Sequence, residues 1–412
     1  MRLNNFLPLV LYPIFITAKR CIMPKNSTLN GDDTPAILSA SSSCLTNSTI
    51  VFSAGQTYNL LTPLSFTNLN NVDLLFEGNV SLPSDVSVVE AVVGNPKIYS
   101  GRWITVKGKD VRFAGSGKED GGWFEGHGEQ WWSMAGNDNN TYRPHFFSFS
   151  VTNLKIENIK VLKPVAWVFS IGGSNVEMRN TFIDARSSDG FPFNTDGIDL
   201  SASNVLIDTF EIHNGDDMIN VSPSASNVTV RNIIASGTHG VSASCSSGSG
   251  GNYLFENALI YDSLMGARFK GVLGTTCNMT NVTWRNFEMR NVSYPIHFTE
   301  TYQDQEKPVT GAATRIAAFT KGFTWENITG TTADVIGDGS CVTDPCWYAS
   351  LDQNPDKGLY LLCQDHAHCQ DFHFSGIDLR TSSGKPASEE CTGLNGITGM
   401  GITCTNSTIT RD

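Results

Sequence analysis

Asn204-Val-Leu-Ile-Asp-Thr-Phe-Glu-Ile212 sets Val205 and Ile207, then Phe210 and Ile212, on alternate positions either side of a polar break at Asp208-Thr209. Two-residue alternation is the mark of a strand with one buried face. The same pattern returns as Asn153-Leu-Lys-Ile-Glu-Asn-Ile-Lys-Val161, Asn175-Val-Glu-Met-Arg-Asn-Thr-Phe-Ile183 and Asn227-Val-Thr-Val-Arg-Asn-Ile-Ile-Ala235. It continues as Asn252-Tyr-Leu-Phe-Glu-Asn-Ala-Leu-Ile260 and Asn281-Val-Thr-Trp-Arg-Asn-Phe-Glu-Met289, with weaker copies at Asn71, Asp110, Gly322 and Asp371. The six clear copies start 22, 29, 23, 25 and 29 residues apart. A winding of that length cannot bury its apolar face alone, so the pattern predicts windings stacked into a parallel β-solenoid with a continuous axial core. A β-sandwich fits poorly, because Asn-Gly and Asp-Gly hairpin signals are few and the period is too long. The asparagine in the middle of each copy is expected to join an internal stack of amides that satisfy one another at a bend.

Open solenoid ends must be covered, or their strand edges would pair with other chains. Asp32-Asp33-Thr34-Pro35-Ala36-Ile37-Leu38, with Cys44 downstream, reads as a short N-terminal capping helix, and the cysteine-rich tail after Cys341 as the opposite cap.

No linker divides the 412 residues, so residues 21–412 are expected to form one all-β domain, working as a monomer. Charged residues make up only 17% of the chain while Gly, Ser, Thr and Asn abound, which suits short strands and tight turns. A net charge of -12 and a pI near 5.1 repel nucleic acid and anionic lipid, so neither is an expected partner. Residues 1–20 carry Arg2, an apolar run from Phe6 to Ile16 and the dibasic pair Lys19-Arg20, the layout of a secretory signal. The run is too short to span a bilayer and contains Pro8 and Pro13.

Ten cysteines and many Asn-X-Ser/Thr sequons agree with an extracellular address. The sequons include Asn26, Asn47, Asn79, Asn139, Asn278, Asn281, Asn291, Asn327 and Asn406. Cys341 with Cys346, Cys363 with Cys369 and Cys391 with Cys404 are near enough in sequence for local disulfides; Cys21 with Cys44 would clip the N-terminus, leaving Cys245 with Cys277. No Cys-X-X-Cys spacing or histidine ligand pair points to a metal, and no cofactor is expected.

Four polar groups interrupt the apolar pattern about one winding apart: Asn194-Thr195-Asp196-Gly197, Gly215-Asp216-Asp217, Gly237-Thr238-His239-Gly240 and Arg268-Phe269-Lys270. Matching places on successive windings lie about 4.8 Å apart, so these groups should share one surface. Arg268 and Lys270, two residues apart on a strand, face the same way and could grip an anion. Adjacent Asp216 and Asp217 cannot both face solvent on a regular strand, so they must sit at a bend that Gly215 permits. Crowding among Asp196, Asp216 and Asp217 should raise at least one pKa, leaving a protonated acid beside ionised neighbours. That is the equipment of glycoside hydrolysis on an acidic polymer.

These motifs, in this order, resemble those of the polygalacturonases, glycoside hydrolase family 28, over most of the chain from about Cys21 to Cys404. The resemblance implies a right-handed parallel β-helix and metal-free hydrolysis of α-1,4-galacturonosyl links in pectin with inversion. By motif, Asp216 takes the place of the general acid, Asp196 and Asp217 those of the water-activating carboxylates, and His239 that of the residue supporting the acid. Asn194, Arg268, Lys270 and Tyr302 take sugar-binding places. Departures are Phe269 for the usual isoleucine, Thr238 for a glycine, and Met218 and Ala235 where relatives commonly have a disulfide. Gly215, Gly266-Ala-Arg-Phe-Lys270 and the Gly339–Trp347 insertion look more like the fungal exo-acting branch, with the segment from Gly121 to Pro144 helping to close the cleft. Rhamnogalacturonan or xylogalacturonan hydrolysis is the near alternative; a pectate lyase or a non-catalytic pectin-binding solenoid is more distant.

Overall fold

The computed structural model describes residues 19–25, 31–132, 142–272, 276–302, 318–341, 347–348 and 354–393. Residues 1–18 of the expected leader (1–20), Cys346, Cys404 and the sequons at Asn26, Asn139 and Asn406 lie outside the described residues. What is described is all-β apart from three short helices: 22 strands in one hydrogen-bonded network whose ladders run parallel. Each strand pairs with its counterpart one winding before and one winding after, giving a parallel β-helix-like stack.

The alternation read from the repeats builds the core directly. Leu74, Phe113, Ile156, Met178, Ile207, Val230, Phe255, Trp284, Trp325 and Phe374 follow one another in register as a single inward column. Toward its C-terminal end the column becomes a pile of parallel rings: Trp284 on Trp325 at 5.4 Å and Trp325 on Phe374 at 4.6 Å between centroids. Burying each large side chain contributes about 1.5–3 kcal/mol, repeated at every level, so the stack is held by many equivalent layers.

The asparagines form two ladders, and they run along the outer surface instead of inside. In the first, each side-chain amide donates to the residue one winding below: Asn175 to Asn153, Asn204 to Asn175, Asn227 to Asn204 and Asn281 to Asn252, at 2.9–3.1 Å. The mid-pattern residues make the second, through Asn286 to Asn257 and Asn327 to Asn286. Both sets occupy left-handed backbone, with φ of 56° at Asn204 and 57° at Asn286. A left-handed bend turns the chain while leaving the carboxamide outside and parallel to the stack axis, so the amides pair without being desolvated.

The expected capping helix is present at Thr34–Ser41, with proline in its first turn and Ile37 fully buried in the core. A disulfide joins Cys44, just beyond it, to Cys21 in the first strand, Lys19–Ile22. That strand includes the dibasic pair, with Lys19 and Arg20 in register with Ser48 and Thr49. The Cys245–Cys277 and Cys363–Cys369 bonds also form as expected. Cys341 and Cys391 are disulfide-bonded as well, their expected partners falling outside the described residues.

The tail after Cys341 differs from the separate cap expected of it. Lys357–Leu362 pairs with Ile296–Thr299, His373–Arg380 with the strand Phe319–Thr332, and Ser388–Thr392 with Lys357–Leu362. The windings therefore continue, because Leu359, Leu361, Phe374 and Leu379 still alternate inward and stay buried.

Candidate active site

One face of the stack is built from short strands, Ile198–Leu200, Ile219–Val221 and Val241–Cys245, followed by the Ala267–Gly271 and Ile296–Thr299 parts of two longer ones. Leu200, Val221, Ala243, Phe269 and Phe298 align on the core side, with Phe269 stacked on Phe298 at 4.6 Å. Phe269 therefore fills the column where the family has isoleucine. The next position, facing outward, holds Asp199, Asn220, Ser242, Arg268 and His297 in register. Just upstream, the loops carrying Asp196, Asp216-Asp217 and His239 stack by backbone bonds from Gly197 to Asp217 and from His239 to Asp216, both 2.9 Å. All four motifs thus come together. The glycines are steric necessities: a Cβ on Gly215 would meet Pro192 O at 2.6 Å, and Gly240, with φ of 115°, lies against Gly266 O and Arg268 Cβ.

Asp216 and Asp217 do sit at a bend, and it separates them. Asp216 is the more accessible, its side chain 18% exposed, whereas that of Asp217 is 1% exposed. Oδ1 of Asp217 accepts from Arg268 at 3.0 Å and from Ser242 Oγ at 2.7 Å, and Oδ2 takes the Lys270 ammonium. A buried carboxylate is costly when alone, and here two cations and a hydroxyl compensate it. Asp216 accepts from Asn194 Nδ2 at 3.3 Å and from the Asp217 amide at 2.8 Å, with His239 Nδ1 at 3.3 Å.

His239 touches a second carboxylate: Nε2 lies 2.7 Å from Asp338 Oδ2, while Oδ1 of Asp338 is held by Ser340 N and Oγ. Burial opposes the imidazolium, but Asp216 and then Asp338 override it and raise the His239 pKa to about 9. In return, burial of Asp216 is outweighed by the His239 charge and hydrogen bond, then by Lys270, which bring its pKa down to about 2. The carboxyl of the cluster whose pKa is pushed well up is Asp196, raised by burial and then by the charges of Asp216, Asp199 and Asp217. Asp199 is raised to about 6 by burial and the Asp217 charge. The expected raised carboxyl is thus Asp196, while the His239 charge holds the pKa of Asp216 down.

Arg268 and Lys270 share a side, as their spacing required, yet they grip Asp217 here. The Arg268 guanidinium also donates to His239 O at 3.0 Å and lies over the rings of Tyr302 and Trp347 at 5.5 and 5.3 Å. Tyr302 reaches Lys270 as well, at 5.4 Å. These two cations counterbalance the buried Asp217 carboxylate.

Three residues escaped sequence reasoning. Asp338 comes from a loop 99 residues after His239, at no repeat position. His297 shares the column of Arg268, and its burial and the Arg268 charge push its pKa down to about 3. Arg143 donates to Phe193 O at 2.9 Å and to Asn194 Oδ1 at 2.6 Å, so both ends of the Asn194 amide are engaged, one by Arg143 and one by Asp216. The register would have flagged His297; nothing local flags the other two.

Oxygens of Asp196, Asp216 and Asp217 lie within 4.8 Å of one another, close enough to share a cation. The donor set does not suit a metal: both Asp217 oxygens are occupied by Arg268, Ser242 and Lys270, and His239 already adds a positive charge at Asp216. A second grouping, Glu300 with Cys363 and Cys369, offers no thiolate because the cysteines are joined to each other.

The sequence profile of glycosyl hydrolases family 28 matches residues 25–342. A probable exopolygalacturonase C of Aspergillus fumigatus is 34% identical over 94% of this chain and 92% of its own length, and one from Aspergillus niger is 33% identical over 95% and 92%. Among solved structures, an endo-xylogalacturonan hydrolase from Aspergillus tubingensis superposes with a TM-score of 0.74 at 25% identity, covering 94% of this chain and 99% of that one. An exopolygalacturonase from Thermotoga maritima gives 0.61 at 14% identity, covering 89% and 92%.

Proposed function

Because the chain belongs to glycosyl hydrolases family 28, we propose that it is a secreted, monomeric exo-polygalacturonase that cleaves α-1,4-galacturonosyl links of pectin from the non-reducing end with inversion, on a right-handed parallel β-helix. The observation that carries the reading is the accessible Asp216 carboxylate, held between Asn194 and His239 with oxygens of Asp196 and Asp217 within 4.8 Å.

Asp216 is the carboxyl best placed to reach a glycosidic oxygen, and Asp196 its partner. Burial and neighbouring charge favour the proton on Asp196 over Asp216, and catalysis needs it on Asp216. A bound uronate adds negative charge beside Asp216 and raises its proton affinity. Asp216 then protonates the leaving oxygen as the anomeric bond breaks, and a water attacking that carbon gives its proton to ionised Asp196. Asp217, locked by Arg268 and Lys270, forms a fixed wall of the site beside Asp196 and Asp216.

The exopolygalacturonase relatives support exo action, as do Asp338 and Trp347, which lie against His239 and Arg268. Disulfides support an extracellular address; no described helix is long and apolar enough to cross a membrane.

Inverting sites usually hold their carboxyls about 6.5–9.5 Å apart and retaining sites about 5–5.5 Å. The anomeric configuration of the first product, followed by NMR on polygalacturonate, decides between them. In the same assay the proposed function requires free galacturonic acid as the first product with no ultraviolet-absorbing unsaturated sugar. Oligomers as first products, or faster turnover of rhamnogalacturonan or xylogalacturonan, would overturn the assignment.

A further inference from the structure

With Arg268 and Lys270 committed to Asp217, the site's conspicuous uncommitted cations lie on its other flank. Arg143 and Arg102 form no ion pair with any described carboxylate, although the chain carries a net charge of -12. Arg143 spends its terminal nitrogens on Phe193 O and Asn194 Oδ1, and Arg102 one of its own on Gly101 O at 2.6 Å. The Nε of each is buried without a partner, as is Nδ1 of His145 between them. His145 is kept neutral by burial and then by the two guanidinium charges, with a pKa down to about 4. It stacks on Trp167 at 4.2 Å, and Arg143 lies over the same indole at 5.2 Å. Arg143 feels the charges of Asp216 and Asp196, but neither guanidinium lies within ion-pair distance of a described carboxylate, and a carboxylate delivered by a ligand would offset their desolvation. Their place defines the ligand: one carboxamide, Asn194, separates Arg143 from Asp216, so an anion on Arg143 belongs to the same sugar whose bond Asp216 attacks.

We propose that Arg143 and Arg102, on the Trp167–His145 platform, form a subsite that reads the carboxylate of the uronic acid being released. This rests on the proposed galacturonan hydrolysis and names its specificity determinant. A methyl ester at that sugar has no charge for the arginines to meet.

The test compares kcat/KM on oligogalacturonates with free and with methyl-esterified terminal carboxyls, for the wild type, Arg102→Gln, Arg143→Gln and Arg143→Lys. The two glutamine variants should lose about 10- to 100-fold on the free acid, mostly through KM. The ratio of free-acid to ester kcat/KM should therefore fall toward one in both glutamine variants, and Arg143→Lys should recover part of it. Arg102 does not touch Asn194, which makes it the control for a purely structural effect. Equal losses on both substrates, or none on either, would overturn the subsite while leaving the hydrolase assignment intact. A wild type inactive on every galacturonan would overturn both.

Discussion

His239 Nε2 is 2.7 Å from Asp338 Oδ2 although 99 residues separate them, so the imidazolium beside Asp216 is held from behind by a second carboxylate. Asp338→Asn removes that charge and should lower the His239 pKa from about 9. The imidazole proton resonances should titrate at lower pH, and the alkaline limb of kcat/KM should move the same way. An unchanged titration would show that Asp338 does not sustain the charge.

The same pair sets a pH window for stability. His239 has a folded pKa of about 9 against an ordinary 6.5, so its contribution is complete below pH 6.5 and lost as the pH rises toward 9. Asp216, at about 2 against 3.8, contributes fully above pH 3.8 and loses that contribution as the pH falls toward 2. The thermal midpoint of the wild type should therefore be highest between about pH 4 and 6.5, and His239→Gln should flatten the alkaline decline. Parallel curves for both proteins would refute the link.

Asp216→Asn should reduce kcat about 10²–10⁴-fold with far-ultraviolet circular dichroism unchanged, since it deletes a proton transfer and keeps the shape. Near-normal turnover would move the acid role to Asp196.

Arg268→Ala leaves Asp217 buried with one cation fewer, and breaking such a pair costs about 3–5 kcal/mol. Denaturant unfolding should show the loss, and the double variant with Asp217→Asn should recover much of it. Additive costs would contradict the coupling between Arg268 and Asp217.

Asn204 donates to Asn175 and accepts from Asn227 at a φ of 56°. Asn204→Ala loses both bonds and strains the left-handed backbone, and about 1–2 kcal/mol of destabilisation is expected. Asn204→Gly should cost less because glycine tolerates that φ. A glycine variant no more stable than the alanine one would assign the cost to the ladder alone.

The stack was legible because its information is local: Val205 and Ile207 alternate with polar residues, and every winding repeats the pattern. The catalytic motifs were legible for a related reason, since parallel register converts one winding of sequence into one step of space, bringing Asp196, Asp217 and His239 together. The amide ladders were found but misplaced, because periodicity gives a bend and not the side to which its side chain points. Asp338 and Arg143 were hidden because they arrive from loops that obey no repeat. The charge states were hidden too: whether Asp196 or Asp216 holds the proton depends on burial and on charges within a few ångströms, and the commitment of Arg268 and Lys270 to Asp217 exists only when three windings stack. Sequence alone thus determined the stack and the convergence of the four motifs; tertiary structure decided which loop residues join them and which charges pair there, because electrostatic energy depends on distance and desolvation, and neither is written along the chain.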